Sequence, residues 1–187
     1  DWDLLRRGEQ LSPGRTALDA GCGAGARDVY KLLSEGYDAY GIDAVEESIE
    51  NAQALHPEIA ERVSVADLRE PLPWKTGRFD LVLCNAVIQH IPRQEAFSVT
   101  LPELVRVLRP GGLLQLMFKQ GDGILTLYDK DYDAERSFLL YDVDSVLRSL
   151  SSLGMDLVDT REEPGTVLYF TDSKGAPHCA LHARKHE

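Results

Sequence analysis

The segment RTALDAGCGAGARDVYKLLSEGYDAYGIDA, residues 15–44, constrains the fold of this chain more than any other feature. An apolar run of strand length ends in Asp19, and glycines follow at positions 21, 23 and 25. A helix-period segment comes next, and a second apolar run ends in Asp43, 22 positions after Gly21. Glycines after a parallel strand let the chain turn sharply, and the following helix presents free N–H groups to a ligand. The pattern predicts a strand–loop–helix–strand unit with a ligand site at the glycine loop.

The rest of the chain continues this alternation of strand-length apolar runs and helix-period segments. We predict strands at 16–20, 39–42, 63–65, 79–84, 113–118, 156–159, 167–170 and 178–183, and helices at 25–35, 45–55, 94–108 and 142–153. Such alternation is typical of a parallel sheet covered by helices on both faces. The turn TDSKGAP joins the last two strands and predicts an antiparallel hairpin at one edge. We therefore predict a doubly wound α/β fold in a single domain, 1–187.

Composition limits the partners and the compartment that we expect. A net charge of −11 at pH 7 argues against tight, non-specific binding to nucleic acid. The three cysteines are far apart and form no CxxC pair, which favours the reducing cytoplasm. No apolar stretch has the length of a membrane span, and no metal-ligand spacing is present. The chain starts without Met and shows no signal peptide, as a fragment or a processed product would. The oligomeric state is open.

Two segments in the second half of the chain carry further polar side chains. Residues 119–141 follow the fifth predicted strand, and we expect an irregular loop on the substrate side of the sheet, where ligands bind in such folds. A solvated surface excursion is the alternative. His178 and His182 alternate with apolar residues, so we expect a solvated strand edge there and no metal site.

Five motifs, in order between residues 15 and 184, resemble those of the class I S-adenosylmethionine-dependent methyltransferases. They are LDAGCGAG, YGIDA, VADLREPLPW, FDLVLCNAVIQHI and LVRVLRPGGLLQLMF. Each motif alone is loose, but five in this order make a specific match. The resemblance implies a Rossmann-like methyltransferase fold, with a seven-stranded, mostly parallel sheet and an antiparallel C-terminal strand. It also implies S-adenosylmethionine as methyl donor, S-adenosylhomocysteine as product, and no metal.

The resemblance implies donor-binding roles for ten residues. They are Asp19, Gly21, Cys22, Gly23, Asp43, Ala44, Asp67, Leu68, Asn85 and Ala86. Asp19 would lie beside the ammonium of the donor, Asp43 would bind both ribose hydroxyls, and Asp67 would accept from the adenine amino group. Asn85 and Ala86 would face the sulfonium. A cationic sulfonium also suits an acidic pocket on electrostatic grounds alone.

Several of these residues have a purely structural alternative. Asp19 and Asp67 could be turn acids that bond to their own backbone, and Asp43 could cap the next helix. Cys22 is either a reactive thiol near a helix N-terminus or a small residue that fits the loop, and we favour the second interpretation.

Three side chains are candidates for an acid–base role. His90 follows the fourth predicted strand and is the first candidate, because a histidine can take a proton near neutral pH. Asp131 and Tyr132 are the second candidates. The alternative for His90 is a role in lining the wall behind the donor.

The predicted activity is methyl transfer to an O, N, C or S nucleophile. The absence of NPPY after the fourth strand, of a PC nucleophile motif and of an RNA-binding module favours a small-molecule acceptor, while an RNA or protein acceptor stays open. Alternatives from other classes are a nicotinamide-dependent oxidoreductase, a binding-only protein, and different S-adenosylmethionine chemistry on the same fold. The GxGxG spacing, where dinucleotide-binding folds carry GxGxxG, favours the methyltransferase.

Overall fold

The computed structural model of the chain describes residues 2–158 and 167–187. The strands are β1 Thr16–Ala20, β2 Asp38–Asp43, β3 Val63–Val65, β4 Phe79–Asn85, β5 Leu108–Lys119, β6 Ile124–Asp129, β7 Ala134–Leu139, β8 Met155–Val158, β9 Leu168–Thr171 and β10 Pro177–Lys185. The helices are α1 Trp2–Leu11, α2 Arg27–Ser34, α3 Glu46–Leu55, α4 Arg93–Glu95, α5 Leu101–Val107 and α6 Val143–Ser152. A π-type turn, Ala96–Thr100, joins α4 to α5, and short 3-10 turns lie at Pro57–Ile59 and Ile88–His90.

The main sheet has the strand order β3-β2-β1-β4-β5-β10-β8, and β9 also pairs with β10. Strands β1 to β5 pair in parallel, while β10 pairs antiparallel with β5, β8 and β9. Strands β8 and β9 bond to different halves of the same edge of β10, so eight strands occupy seven positions. The predicted doubly wound fold with an antiparallel C-terminal strand is confirmed.

The central strands form because their apolar runs are covered on both faces. Every residue of β4 except Asn85 is buried, as expected for an inner strand of a parallel sheet. The flanking helices are amphipathic: α2 buries Val29 and Leu32, and α6 buries Val146 and Leu150. No helix within residues 2–158 or 167–187 combines the length and apolarity that a membrane span requires.

The carboxyl ends of the parallel strands meet at one edge of the sheet, which positions the candidate site. Strand β1 runs into the glycine loop, while β2, β4 and β5 end at Asp43, Asn85 and Lys119. Because β10 is antiparallel to β5, its first residues lie at this same edge, and His178 stands opposite Lys119.

Helix α1 and the hairpin β6–β7 differ from the prediction. The irregular loop expected in residues 119–141 is largely a two-stranded antiparallel sheet, with Ile124 paired to Leu139. Helix α1 was not expected; it packs on β5, and the Leu11 carbonyl oxygen accepts a 2.8 Å hydrogen bond from Arg184. The strand predicted at 156–159 corresponds to β8, Met155–Val158, and its last predicted residue, Asp159, lies outside the described ranges.

The expectation of a solvated strand edge around His178 and His182 is wrong. Strand β10 pairs with β5 along one edge and with β8 and β9 along the other, so both its edges are hydrogen-bonded. The His182 residue is 0% exposed and His178 is 5% exposed. Alternating apolar and polar residues predict a strand with one buried and one solvated face, but here the rest of the fold covers both faces of β10.

Candidate functional site

The glycine loop between β1 and α2 has the backbone that its sequence predicts. Gly21 has a φ of 93° and Gly23 a φ of 69°, in the left-handed region that favours glycine. A Cβ at Gly21 would also collide with the Val87 side chain. The N–H groups of Gly21 and Cys22 both donate to the Ile42 carbonyl oxygen at 2.8 Å, which ties the loop to the end of β2.

Asp43 connects this loop to the start of α3. One carboxylate oxygen accepts from the Gly23 N–H at 2.9 Å, and the other accepts from the Val45 N–H at 3.0 Å. The structural alternative for Asp43, a cap on α3, is wrong: Val45 is the N-cap residue and receives no side-chain cap bond, while Asp43 makes a local bond to the Val45 N–H. A carboxylate has about four lone-pair positions, so two remain for a ligand.

Asp19 is a buried acid at the end of β1, with 5% of its surface exposed. Burial, reinforced by the nearby Asp28 and Asp43 carboxylates, raises the pKa of Asp19 well above its usual range, while Arg27 opposes this effect. A cationic ligand group in this place would favour the ionised form of Asp19.

Cys22 has the character of a loop residue rather than of a reactive thiol. Burial and the Asp19 and Asp43 carboxylates raise the pKa of the Cys22 thiol, so the thiol stays protonated near neutral pH. The interpretation of Cys22 as a small residue that fits the loop agrees with this environment.

Asn85 and Ala86 lie where β4 ends. Ala86 has a φ of 59°, a rare conformation for a residue with a side chain, and its N–H donates to the Met117 carbonyl oxygen at 2.8 Å. The Asn85 Oδ1 is 3.4 Å from the Gln115 Nε2, and the Gln115 Oε1 is 2.9 Å from the His182 Nε2. These contacts hold the Asn85 amide in place through side chains of β5 and β10.

Asp67 follows β3 and is paired with Arg69. The Arg69 guanidinium donates to both carboxylate oxygens of Asp67 at distances of 2.7 to 3.1 Å, and the Arg69 N–H donates at 2.9 Å. These bonds hold the pKa of Asp67 below its usual range. The turn-acid alternative thus describes one part of what Asp67 does in the structure.

Three cavities line this edge of the sheet. The loop cavity, of about 290 Å³, is lined by Leu4, Asp19, Gly21, Cys22, Gly25, Ala26, Arg27, Asp28, Asn85 and Met117. The Asp43 cavity, of about 640 Å³, is lined by Gly21, Gly23, Ala24, Asp43, Ala44, Val45, Ser48, Ala66, Asp67, Leu68, Arg69, Asn85, Ala86, Val87, His90, Ile91, Tyr132 and Arg136. The hairpin cavity, of about 470 Å³, is lined by Ala86, Gln89, His90, Met117, Lys119, Leu127, Asp129, Arg136, Phe138, Phe170, Asp172, Ser173, Lys174 and His178.

The predicted donor-binding residues all line two of these cavities. Each of the ten belongs to the loop cavity or the Asp43 cavity, and the two cavities share Gly21 and Asn85. The hairpin cavity shares Ala86, His90 and Arg136 with the Asp43 cavity. The three cavities therefore meet around the end of β4.

Two of the three acid–base candidates line these cavities, and the third does not. His90 lines both the Asp43 cavity and the hairpin cavity, and its ring stands edge-on to the Phe138 ring with 5.5 Å between the centroids. Burial lowers the pKa of His90, and the nearby Arg136 and Lys119 lower it further. Tyr132 lines the Asp43 cavity, 68% exposed, beneath the Arg136 guanidinium. Asp131 lines none of the three cavities and is paired with Lys174 at 2.8 Å.

Sequence reasoning missed most of the hairpin cavity. Lys119 carried a usable signal, since it is a cation directly after a buried strand, at the edge where ligands bind. Phe138, Phe170 and His178 carried none, because only the two hairpins bring them together. Among the described residues, no group of three or more His, Cys, Asp or Glu side chains is arranged to hold a metal ion.

Comparison with known proteins identifies the family. The sequence profile of the methyltransferase domain family matches residues 18–116, more than half of the chain. The chain belongs to this family, and the resemblance to class I S-adenosylmethionine-dependent methyltransferases is confirmed. A curated relative is 2-methyl-6-phytyl-1,4-hydroquinone methyltransferase of Synechocystis, 31% identical over 106 residues, which are 57% of this chain and 32% of that protein. The chain spans between about a third and a half of the length of such relatives.

Solved structures share the fold at low identity. A S-adenosylmethionine-dependent methyltransferase from Methanosarcina mazei matches with a TM-score of 0.75 and 20% identity, over 95% of both chains. A Burkholderia thailandensis 1,6-didemethyltoxoflavin-N1-methyltransferase, solved with 1,6-didemethyltoxoflavin and S-adenosylhomocysteine, matches with a TM-score of 0.71 and 23% identity, over 99% of this chain and 79% of that one. These likenesses establish the Rossmann-like methyltransferase fold.

Proposed function

We propose that this protein binds S-adenosylmethionine across the loop and Asp43 cavities and transfers its methyl group to a small molecule in the hairpin cavity. One observation carries the proposal: all ten residues that the family resemblance assigns to the donor line the first two cavities, which share Gly21 and Asn85. The fold alone would not require this agreement, because the same fold serves many functions.

The charged groups of the two donor cavities fit the parts of the donor. The two free lone-pair positions of Asp43 suit the ribose hydroxyls, and the Leu68 side chain suits an adenine face. Asp19, whose pKa is raised by burial and by the Asp28 and Asp43 carboxylates, would regain its ionised form beside a cation and so suits the ammonium group at the other end. Asp67 accepts four hydrogen bonds from Arg69, so it would accept from the adenine amino group in place of one of them.

The mechanism asks little of the protein beyond positioning. S-adenosylmethionine supplies a methyl carbon that is already activated by positive sulfur. The chain's task is to hold the acceptor atom in line with that carbon, near Asn85 and Ala86, and to exclude water. We propose His90 as the group that takes the proton of the acceptor, because it lines both cavities and its lowered pKa keeps the ring neutral at pH 7.

A small-molecule acceptor in the cytoplasm is part of the proposal. The hairpin cavity, at about 470 Å³, has the size of a small-molecule pocket. The net charge of −11 disfavours a nucleic acid acceptor. Related proteins are named for small acceptors, such as the hydroquinone and toxoflavin enzymes. All three cysteines are free thiols, which agrees with a reducing compartment.

The Asp43→Ala variant tests the donor site. Loss of an acceptor for buried ribose hydroxyls should weaken S-adenosylhomocysteine binding by about 10- to 100-fold in calorimetry. Glu50→Ala, which removes an exposed acid from α3, is the matched control and should bind as the wild type does. Unchanged affinity in a folded Asp43→Ala protein would show that the site lies elsewhere.

A further inference from the structure

Lys119 is a buried cation at the floor of the hairpin cavity. It ends β5, faces His178 across the β5–β10 pair, and has only 9% of its side chain exposed. Ammonium groups are strongly hydrated, so a lysine buried to this degree needs partners inside the protein.

The partners of Lys119 form a triangle. Its Nζ lies 3.6 Å from the Asp172 Oδ2 and 3.2 Å from the His178 Nε2, and that same Nε2 lies 2.9 Å from the Asp172 Oδ2. The Nε2 atom of a neutral histidine carries either a proton or a lone pair. It therefore cannot donate to Asp172 and accept from Lys119 at the same time.

The other ring nitrogen of His178 decides between the two arrangements. Burial lowers the pKa of His178, so the ring is neutral near pH 7, and its Nδ1 is buried with no partner among the described residues. A proton on Nδ1 would be an unsatisfied buried donor, which is costly. The proton therefore lies on Nε2 and points to Asp172. Lys119 is left with one long ion pair and the face of Phe138 at 4.7 Å.

The other cations of the cavity are already neutralised. Arg136 pairs with Asp129 at 3.2 Å, and Lys174 pairs with Asp129 at 2.6 Å and with Asp131 at 2.8 Å. Lys119, the third cation, has Asp172 as its nearest carboxylate, so three cations face three carboxylates and the cluster has no net charge. Lys119 is the cation whose hydrogen-bonding capacity is least used.

The walls beside Lys119 are flat and apolar. Phe170 stacks on the His178 ring at 4.9 Å with an interplanar angle of 5°, and His90 stands edge-on to Phe138. Met117 and Leu127 complete the apolar lining. Aromatic rings prefer such faces and edges as neighbours.

We propose that the hairpin cavity binds a planar aromatic acceptor that carries an anionic oxygen, and that the Lys119 ammonium binds this oxygen. The inference rests on the proposed function, because the acceptor role comes from Ala86 and His90, which the hairpin cavity shares with the Asp43 cavity. The anion completes the hydrogen bonding of Lys119, while Phe138 and Phe170 contact the ring. Asp172 and His178 hold the ammonium in place.

The chain offers a convenient probe, because it has two methionines. Met117 lines the hairpin cavity and also the loop cavity, so its shift is assigned to the hairpin cavity when S-adenosylhomocysteine is already bound, whereas Met155 is buried in β8 and lines none of the three cavities. Protein labelled at the methionine methyl carbons is titrated with 2-naphthoate and with 2-naphthamide, which have the same shape and differ in charge. Both titrations are run with and without S-adenosylhomocysteine. The binding of S-adenosylhomocysteine itself is measured in a separate titration.

We expect 2-naphthoate to bind about 10-fold more tightly than 2-naphthamide, as one charge-assisted hydrogen bond provides, and to shift the Met117 signal but not that of Met155. In Lys119→Leu the two probes should bind within about 2-fold of each other. Lys130→Leu removes an exposed lysine from the turn of the hairpin and should keep the wild-type preference.

Equal affinity of the two probes for the wild-type protein, or a shift confined to Met155, would overturn the inference even if Lys119→Leu does not fold. Failure of S-adenosylhomocysteine to bind would instead contradict the proposed function. The anion preference is read from the two aromatic probes alone, so the two failures are distinguishable.

Discussion

At the scale of single residues, the proposed donor site is built from acids that also have a structural task. Asp43 accepts from the N–H groups of Gly23 and Val45, and it lines the Asp43 cavity with two acceptor positions left. Asp67 differs, because it accepts four bonds from Arg69 and a ligand would have to replace one of them. For Asp43 the structural and ligand-binding interpretations are therefore compatible, because one carboxylate has enough acceptor positions for both.

His90 gives the residue-scale prediction. Removing the proposed base in His90→Ala should lower turnover by about 100-fold while changing the affinity for S-adenosylhomocysteine by less than about 3-fold. Because burial and the nearby cations lower the pKa of His90, the acid limb of the wild-type pH–rate profile should lie below pH 6.5, the usual pKa, and disappear in the variant. A variant that turns over at the full rate would remove His90 as the base.

The residues of the proposed donor site could be placed together from sequence, and those of the hairpin cavity could not. The acids at 19, 43 and 67 and the glycines lie at or just beyond the carboxyl ends of strands, so chain order alone places them at one edge. The contact of Lys119 with His178 joins residues 59 positions apart. The pairing of β10 beside β5 creates this contact, and no local pattern indicates it.

At the scale of elements, α1 shows how a helix can form from tertiary contacts. A Cβ on Gly8 would lie 2.7 Å from the Gln115 Oε1 and 3.5 Å from the His182 Nε2, so α1 sits tightly on β5 and β10. Short helices are marginal alone, and a mid-helix glycine weakens them further. Sequence pattern therefore did not predict α1, although its Leu4 lines the loop cavity. The sequence also suggests Trp2 as part of a cover over the donor, but this side chain lies outside the part of the chain that the structure describes.

Gly8→Val tests the role of α1. The new side chain should displace the Gln115 amide and lift α1 from the sheet, at an overpacking cost of about 1–3 kcal/mol, or about 3–10 °C in Tm. Hydrogen exchange of the α1 amides should rise, and S-adenosylhomocysteine should bind more weakly as the loop cavity opens. Gln10→Val places the same side chain at an exposed position of α1 and should leave the affinity intact. Equal protection of α1 in Gly8→Val and wild type would contradict this account.

The hairpin β6–β7 was the least predictable element. Its two strands are exposed or half-buried except at Asp129 and Phe138, and they pair with each other rather than with the main sheet. Such a hairpin carries only a weak apolar signal. The strands β1, β2 and β4 were predicted to within one residue at each end, because their apolar runs are continuous and bounded by turns.

At the scale of the whole molecule, buried histidines make stability depend on pH. Burial in the sheet lowers the pKa of His182 to about 4, and it lowers the pKa of His178 as well. In the unfolded chain these rings take up protons near pH 6.5, so the unfolded state binds more protons than the folded state between pH 6.5 and 4. Stability should therefore fall as the pH drops through this window.

His182→Gln tests this linkage. A shift from 6.5 to about 4 corresponds to about 3 kcal/mol of stability lost on acidification. The longer amide can place a donor near the position of the His182 Nε2, which contacts Gln115, but it does not titrate. The free energy of unfolding of the variant should therefore change less between pH 6.5 and 4 than that of the wild type, measured by urea unfolding at several pH values. Identical pH dependence in both proteins would contradict a buried, neutral His182.

The most direct test of the account is calorimetric titration of the wild-type chain with S-adenosylhomocysteine and, separately, with NAD. The glycine loop and the acid that ends β2 would suit either ligand, so this comparison separates the two interpretations of the same residues. We predict micromolar binding of S-adenosylhomocysteine and no binding of NAD. Binding of NAD alone, or of neither ligand, would contradict the proposal that the loop and Asp43 cavities form a methyl-donor site.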